Sequence, residues 1–326
     1  MSPAQSRRLV STVGRADSPV FQRLHAAAAA RADQIGLDYE WRPRDADAPA
    51  ASLLDGAYAA IVDTEPYDAM TLERIADETR LLVRFGVGYD SVDVAAATRL
   101  GIKVGRTPGG NAAAVAEMAL LLMLATRRKL DTHSISVRSG AFRSEVSPGL
   151  IGATVGIVGY GAVGRSVHRL LKGFGCEVLV QAPRMSPSDA QDHGVELASL
   201  EEIARRADVL TLHVPATPET RGMISRDVLR MMKPTATIIN TSRGSVVDEV
   251  ALCEALTEGW IGSAGLDVFA EEPLPRSSPL LAAPNLVVTP HSASQTEPAL
   301  SAMFDMALDV VDDVLASGQS PHLLNH

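Results

Sequence analysis

Three residues in the second half of the chain could together move a proton beside a carbonyl group: Arg243, Glu272 and His291. Histidine donates or accepts a proton near neutral pH. A neighbouring carboxylate favours the charged imidazole and holds its ring orientation. An arginine can grip a substrate carboxylate through paired hydrogen bonds. Each of the three follows an apolar, strand-like run: Arg243 after 237–241, Glu272 after 266–269 and His291 after 287–290. Strand ends of this kind are where parallel sheets bind ligands. Singly, each residue has a plainer explanation, because loop histidines, arginines after strands and adjacent glutamates are usually structural or solvated. Their order behind a phosphate-binding loop makes them a candidate set.

That loop is Gly159-Tyr160-Gly161-Ala162-Val163-Gly164, a G-x-G-x-x-G between a strand-like run and a helical pattern. The first glycine permits a tight turn, the second lets the backbone approach a pyrophosphate, and the third allows close packing of helix on strand. The acidic residue expected at the end of the next strand, where it would bind a ribose hydroxyl, is missing. Gln181-Ala182-Pro183-Arg184 stands there instead. With Ala182 in place of a carboxylate and Arg184 able to pair with a 2′-phosphate, the cofactor is NAD or NADP, and the composition of this segment favours NADP.

The elements that must position these residues are visible in the apolar pattern. Strand-like runs lie at 154–158, 178–180, 209–214, 237–241, 264–268 and 286–289. Val163, Val167, Leu170, Leu171 and Phe174 recur at helical spacing, and further helical patterns lie near 200–206, 226–232 and 248–258. Six short β-branched runs alternating with helices predict an α/β, doubly wound parallel sheet. The first hundred residues repeat the alternation more weakly, with strands at 9–13, 60–63 and 81–85. A helix over 112–125 opens the inner domain and another over 298–315 closes the chain. The expected organisation is a discontinuous outer domain, 1–106 plus 296–326, and a continuous inner domain, 107–295.

Ordered segments of the sequence resemble the D-isomer-specific 2-hydroxyacid dehydrogenases: FGVGYDSVD (85–93), NAAAVAEM (111–118), VGIVGYGAVGR (155–165), INTSRGSVVDE (239–249), GLDVFAEEPLP (265–275) and TPHSAS (289–294). The resemblance implies two Rossmann-like domains, the outer one binding substrate and the inner one the dinucleotide, with the active site in the interdomain cleft. It implies an oxidoreductase that moves a hydride between NAD(P)H and a small 2-oxo or D-2-hydroxy acid, and an outer domain that closes to exclude water. It also implies that Arg243 binds the substrate carboxylate and carbonyl, that His291 is the acid/base and that Glu272 pairs with His291. The backbone at Gly86, Val87 and Gly88 would cup the carboxylate, as consecutive amides of a glycine-rich turn can. Val214, Thr241, Ser242 and Asp267 match cofactor-lining positions, Asp267 beside the nicotinamide; its plainer reading is a residue capping a local turn. Tyr67, Tyr89 and Arg84 are candidates for the wall facing the substrate's far end. The family likeness further implies that 127–145 reaches a second subunit in a homodimer. Phe142 stands where the family often has tryptophan, a packing difference. The Glu–His pair argues against the formate branch, and the early end of the chain against an added regulatory domain.

Composition excludes other classes. A net charge of −9 opposes nucleic acid as the main partner. The apolar run 112–125, broken by Glu117, is too short to span a membrane. Two cysteines and no signal peptide point to the cytoplasm. His213 reads as structural, Cys253 as core, and His25, His133, His168, His193, His322 and His326 show no metal-binding spacing. The alternative from another class is a dinucleotide-sensing, corepressor-like interaction protein without significant turnover, against which the intact Arg/Glu/His set weighs.

Overall fold

A computed structural model describes residues 7–43 and 49–325; His326 and the first six residues lie outside the described part. In chain order the elements are β1 (Arg7–Ser11), α1 (Pro19–Gln34), β2 (Leu37–Trp41), β3 (Ala59–Val62), α2 (Ala69–Ile75), β4 (Leu81–Arg84), α3 (Val94–Arg99) and β5 (Lys103–Arg106). There follow α4 (Ala112–Arg127), α5 (Leu130–Arg138), β6 (Thr154–Val158), α6 (Ala162–Leu171), β7 (Glu177–Gln181), α7 (Pro187–His193), β8 (Glu196–Leu197), α8 (Leu200–Arg206) and β9 (Val209–Leu212). The chain ends through α9 (Arg226–Met231), β10 (Thr237–Asn240), α10 (Glu249–Thr257), β11 (Ser263–Leu266), β12 (Leu286–Val288) and α11 (Glu297–Ser317).

Two compact units result, one of Met1–Asn111 with Thr296–His326 and one of Ala112–Gln295. The first contains an all-parallel sheet in the order β2-β1-β3-β4-β5. Every residue of β3 and β4 is buried, as expected of strands covered on both faces. The last helix belongs to this unit because Leu300, Met303, Phe304, Ala307 and Leu308 of α11 share a core with Leu9, Leu81, Val83 and Phe85. The division falls at 111 rather than at the expected 106. Thr107 exchanges hydrogen bonds with Gly86, its amide to the Gly86 carbonyl at 3.0 Å and its Oγ1 from the Gly86 amide at 2.8 Å. Gly110 backs onto Met303.

The second unit is a parallel sheet in the order β12-β11-β10-β9-β6-β7-β8. It has seven strands where six were expected. The extra one, β8, is two residues long and carries Glu196, so no apolar period announces it. The strands expected at 209–214, 237–241 and 264–268 end earlier, at Leu212, Asn240 and Leu266. The residues beyond leave the ladder and form the loops that carry candidate groups. Most of the shorter helices are started by a side-chain cap, as Ser199 accepts from the Glu202 amide and Ser186 with Asp189 forms a capping box. No helix among the described residues is long and apolar enough to cross a membrane.

Candidate active site

The winding of the second sheet reverses between β6 and β9, which are neighbours while the chain runs outward from each. Loops at such a reversal form a crevice for ligands. Gly159 follows β6 with φ +95°, and a Cβ there would lie 2.5 Å from the His213 carbonyl oxygen at the end of β9. A Cβ on Gly164 would lie 2.3 Å from the Gly159 carbonyl oxygen, so loop, strand end and α6 meet backbone to backbone. Gly161 is different. It is the N-cap of α6, has nothing within 4 Å of a built Cβ, and leaves the first turn at Ala162 and Val163 without a side-chain cap. Uncapped amides at a helix N-terminus attract anions.

Polar groups beside this loop await a partner. Thr241 and Ser242, just past β10, are buried; the Thr241 hydroxyl and His213 Nδ1 make no hydrogen bond to any described residue. Buried groups left this way call for a ligand or ordered water. Val214 packs against the position a Gly159 Cβ would take. Ala182 is partly buried after β7, while Arg184 is exposed. These residues fit a dinucleotide: an open amide cradle for the pyrophosphate and unsatisfied polar atoms along the strand ends.

Glu272 and His291 come together from loops after β11 and β12. His291 Nδ1 lies 2.6 Å from Glu272 Oε2, and Glu272 Oε1 accepts from the Phe269 amide at 2.9 Å. Burial pushes the Glu272 carboxyl up. The bonds from His291 and Phe269 and the nearby His291 and Arg243 charges outweigh it and hold the group below the usual carboxylate range. His291 sits in the left-handed region at φ +49°, an uncommon place for a non-glycine residue. Asp267, fully buried, holds it there. The Asp267 carbonyl accepts from the His291 amide at 2.8 Å, and its carboxylate accepts from Thr289 Oγ1 at 2.5 Å and from the Ser292 and Ala293 amides at 2.9 Å each. The turn-capping reading of Asp267 is therefore what its hydrogen bonds describe.

Arg243 lies at the end of the adjacent strand in the same unit, and its charge reaches Glu272. Its loop is tied down by Asn240, a residue the sequence did not single out. Asn240 Oδ1 accepts from the Ser242 amide at 3.0 Å and its Nδ2 donates to the Arg243 carbonyl at 2.9 Å. An asparagine at a strand end is a turn former, which was the available signal.

The glycine turn 86–88 belongs to the first unit, at the end of β4. Gly86 has φ +140°, which favours glycine. Its amide is committed to Thr107 Oγ1, so the expected three-amide cradle is reduced to Val87 and Gly88, whose amides bond to no described residue. Arg84 is buried under the turn, donates to the Phe85 carbonyl and lies 3.7 Å from Asp63. Tyr67 is buried in the core, whereas Tyr89 is exposed beneath the Arg106 guanidinium. Among the described residues no group of three or more His, Cys, Asp or Glu could hold a metal ion.

Comparison with known proteins bears on this arrangement. Residues 120–293 match the D-isomer specific 2-hydroxyacid dehydrogenase, NAD binding domain, family. The chain is 40% identical over 268 residues to a glyoxylate reductase of Korarchaeum cryptofilum, covering 80% of each. It is 39% identical over 253 residues to a D-3-phosphoglycerate dehydrogenase of Methanocaldococcus jannaschii, covering 77% of this chain and 48% of that one. Among solved structures, the apo D-lactate dehydrogenase from Escherichia coli superposes with a TM-score of 0.82 at 28% identity, over 98% of this chain and 99% of that chain.

Proposed function

The chain belongs to the D-isomer specific 2-hydroxyacid dehydrogenase family, and on that premise we propose how its residues divide the work of the reaction. The protein is an oxidoreductase acting between a nicotinamide dinucleotide and a small 2-oxo or D-2-hydroxy acid. The observation that carries the assignment of roles is the 2.6 Å His291–Glu272 pair at the same sheet edge as the glycine loop.

In the reductive direction Arg243 grips the substrate carboxylate and carbonyl oxygen, and the amides of Val87 and Gly88 are the first unit's own candidate anion donors. Glu272 accepts a hydrogen bond from Nδ1–H of the His291 imidazolium, which holds the ring and leaves Nε2–H to face the substrate. As the carbonyl carbon gains a hydride, its oxygen takes the Nε2 proton; oxidation runs the same transfers backwards. A dinucleotide bound at Gly159, Gly161, Ala162, Val163 and Gly164 supplies the hydride. Thr241, Ser242 and Val214 line its path, and Asp267 keeps the His291 turn in place beside the nicotinamide. Ala182 and the exposed Arg184 favour NADP, since a 2′-phosphate meets a guanidinium and no carboxylate.

The enzyme is read as a cytoplasmic homodimer. Both cysteines are free thiols. None of α5 is buried, and Leu130, Ile135, Val137, Phe142, Val146 and Ile151 are exposed along one segment, an apolar arm of the kind that marks an interface. The partners are small acids, and the net charge of −9 weighs against nucleic acid beside them. The test is nicotinamide absorbance with NADH and NADPH offered separately against glyoxylate, hydroxypyruvate and pyruvate. We expect faster turnover with NADPH, and a kcat for His291→Ala lowered by roughly 10²–10⁴ with cofactor affinity unchanged. A variant within a few fold of the parent would remove His291 from the mechanism.

A further inference from the structure

Glu272 does not stand alone behind His291. The turn that carries it presents two consecutive amides, and each is held by a carboxylate. The Phe269 amide donates to Glu272 Oε1 at 2.9 Å, and the Ala270 amide donates to Glu249 Oε1 at 2.6 Å. Glu249 comes from another element, the first turn of α10, whose N-cap Asp248 accepts from the Ala251 amide. Between them lies Gly244, the residue after Arg243. A Cβ there would fall 1.8 Å from the Phe269 carbonyl carbon and 2.2 Å from the Ala270 nitrogen, so the Arg243 loop presses directly on the same peptide.

We propose that Glu249 is a positioning residue for the acid/base pair: its carboxylate anchors the 269–272 turn from behind and sets a second negative charge beside Glu272. The proposal rests on the reading of Glu272 and His291 given above. The anchor decides where Glu272 Oε2 stands relative to His291, and, through Gly244, where both stand relative to Arg243. The charge acts on Glu272, which carries the hydrogen bond to His291. Burial and the Glu272 charge push the Glu249 carboxyl up, against the bond from Ala270, so the two carboxylates do feel each other. Cys253, one turn along its own helix, also feels Glu249, and His291 and Arg243 act on it through Glu272. Arg226 of the packed helix α9 is paired with Glu254.

Glu249→Ala and Glu249→Gln separate anchor from charge, since the amide keeps an acceptor for Ala270 and loses the charge. The probe is glyoxylate reduction with NADPH across pH, with His291→Ala in parallel and thermal unfolding to confirm folding. Glu249→Ala should lower kcat roughly tenfold with KM for glyoxylate within about twofold, because misplacement of a reacting group costs rate more than binding. Glu249→Gln should restore kcat to within about twofold. Its basic limb should stay a few tenths of a pH unit below the parent's, because losing a nearby negative charge weakens imidazolium. A Glu249→Ala profile that superimposes on the parent's, or a Glu249→Gln that restores nothing, overturns the proposal. If Glu249→Ala does not fold, the position of the Glu249→Gln basic limb decides, and an unshifted limb overturns it. Turnover surviving in His291→Ala would instead bring down the acid/base reading itself.

Discussion

At the C-terminal edge of each sheet the winding reverses between two neighbouring strands, β1 against β3 in one unit and β6 against β9 in the other. In the second unit that reversal carries the glycine loop, with open space above Gly161. In the first it is filled. The Val13 carbonyl accepts from His25 Nε2 and Trp41 Nε1, each at 3.0 Å, and His25 stacks on Trp41 at 3.9 Å with Phe304 edge-on at 4.9 Å. The single glycine there, Gly14, is spent on packing, since its Cβ would lie 2.3 Å from the Phe21 ring. The candidate anion turn of the first unit sits one strand over, at the end of β4. One winding plan thus makes either a dinucleotide cradle or a rigid platform, and the loop residues decide which.

The sharpest way to break this comparison is Gly159→Ala. It puts a Cβ at φ +95° and 2.5 Å from a backbone oxygen that cannot yield. We expect cofactor affinity to fall about 100-fold, roughly 3 kcal/mol at the upper end of overpacking costs. Fluorescence titration with NADPH measures it, and unchanged affinity would mean that the loop is not the cradle. Gly86→Ala is the matching change in the first unit. Strain at φ +140° costs about 1–3 kcal/mol, and KM for the 2-oxo acid should rise roughly tenfold while cofactor affinity stays at the parent value. A change in cofactor affinity instead would erase the division of labour between the units.

The smallest effect concerns pH. One strongly depressed histidine in each unit bears on it: His25 is lowered to about 4, mainly by burial against a raising bond to Val13, and His213 to about 3 by burial. An unfolded chain protonates both near the ordinary value of 6.5. Their contribution is therefore complete above about 6.5 and drains away as pH falls toward the folded values, because the unfolded state then binds more protons. The denaturant midpoint should fall between pH 7 and pH 5, and His25→Gln should flatten part of that slope. A parent protein that gained stability on acidification through this range would contradict the burial of both rings.

Much of this was legible beforehand. The central strands β6, β9, β10 and β11 are mostly apolar and buried on both faces, which leaves a strong signal. Arg243 and Glu272 each follow such a strand, whereas His291 follows β12, a half-exposed strand at the edge of the sheet. Other elements leave weaker traces. Strand β2, LDYEW, mixes charge with aromatics at the edge of its sheet, and α5 buries nothing, so neither shows a clean period. Asn240 and Glu249 act on backbone amides and carbonyls, and a side chain bonding to a backbone carries no pairing mark in the sequence.

What the residues determined by themselves was local: strand and helix periods, the glycine spacing that permits the loop, and the chemical types able to move a proton or grip a carboxylate. These depend on neighbours within a few positions, where covalent geometry and side-chain alternation act directly. Only the tertiary structure decided that Thr107 claims the Gly86 amide, that Asp267 spends its carboxylate on the His291 turn, and that Glu249 and Gly244 meet at the peptide behind Glu272. Those contacts join residues from about 20 to 26 positions apart, brought together where strands and loops of a parallel sheet end side by side. Distance along the chain says nothing of them, because the sheet order and the burial of α11 against the first strands are properties of the packed core as a whole.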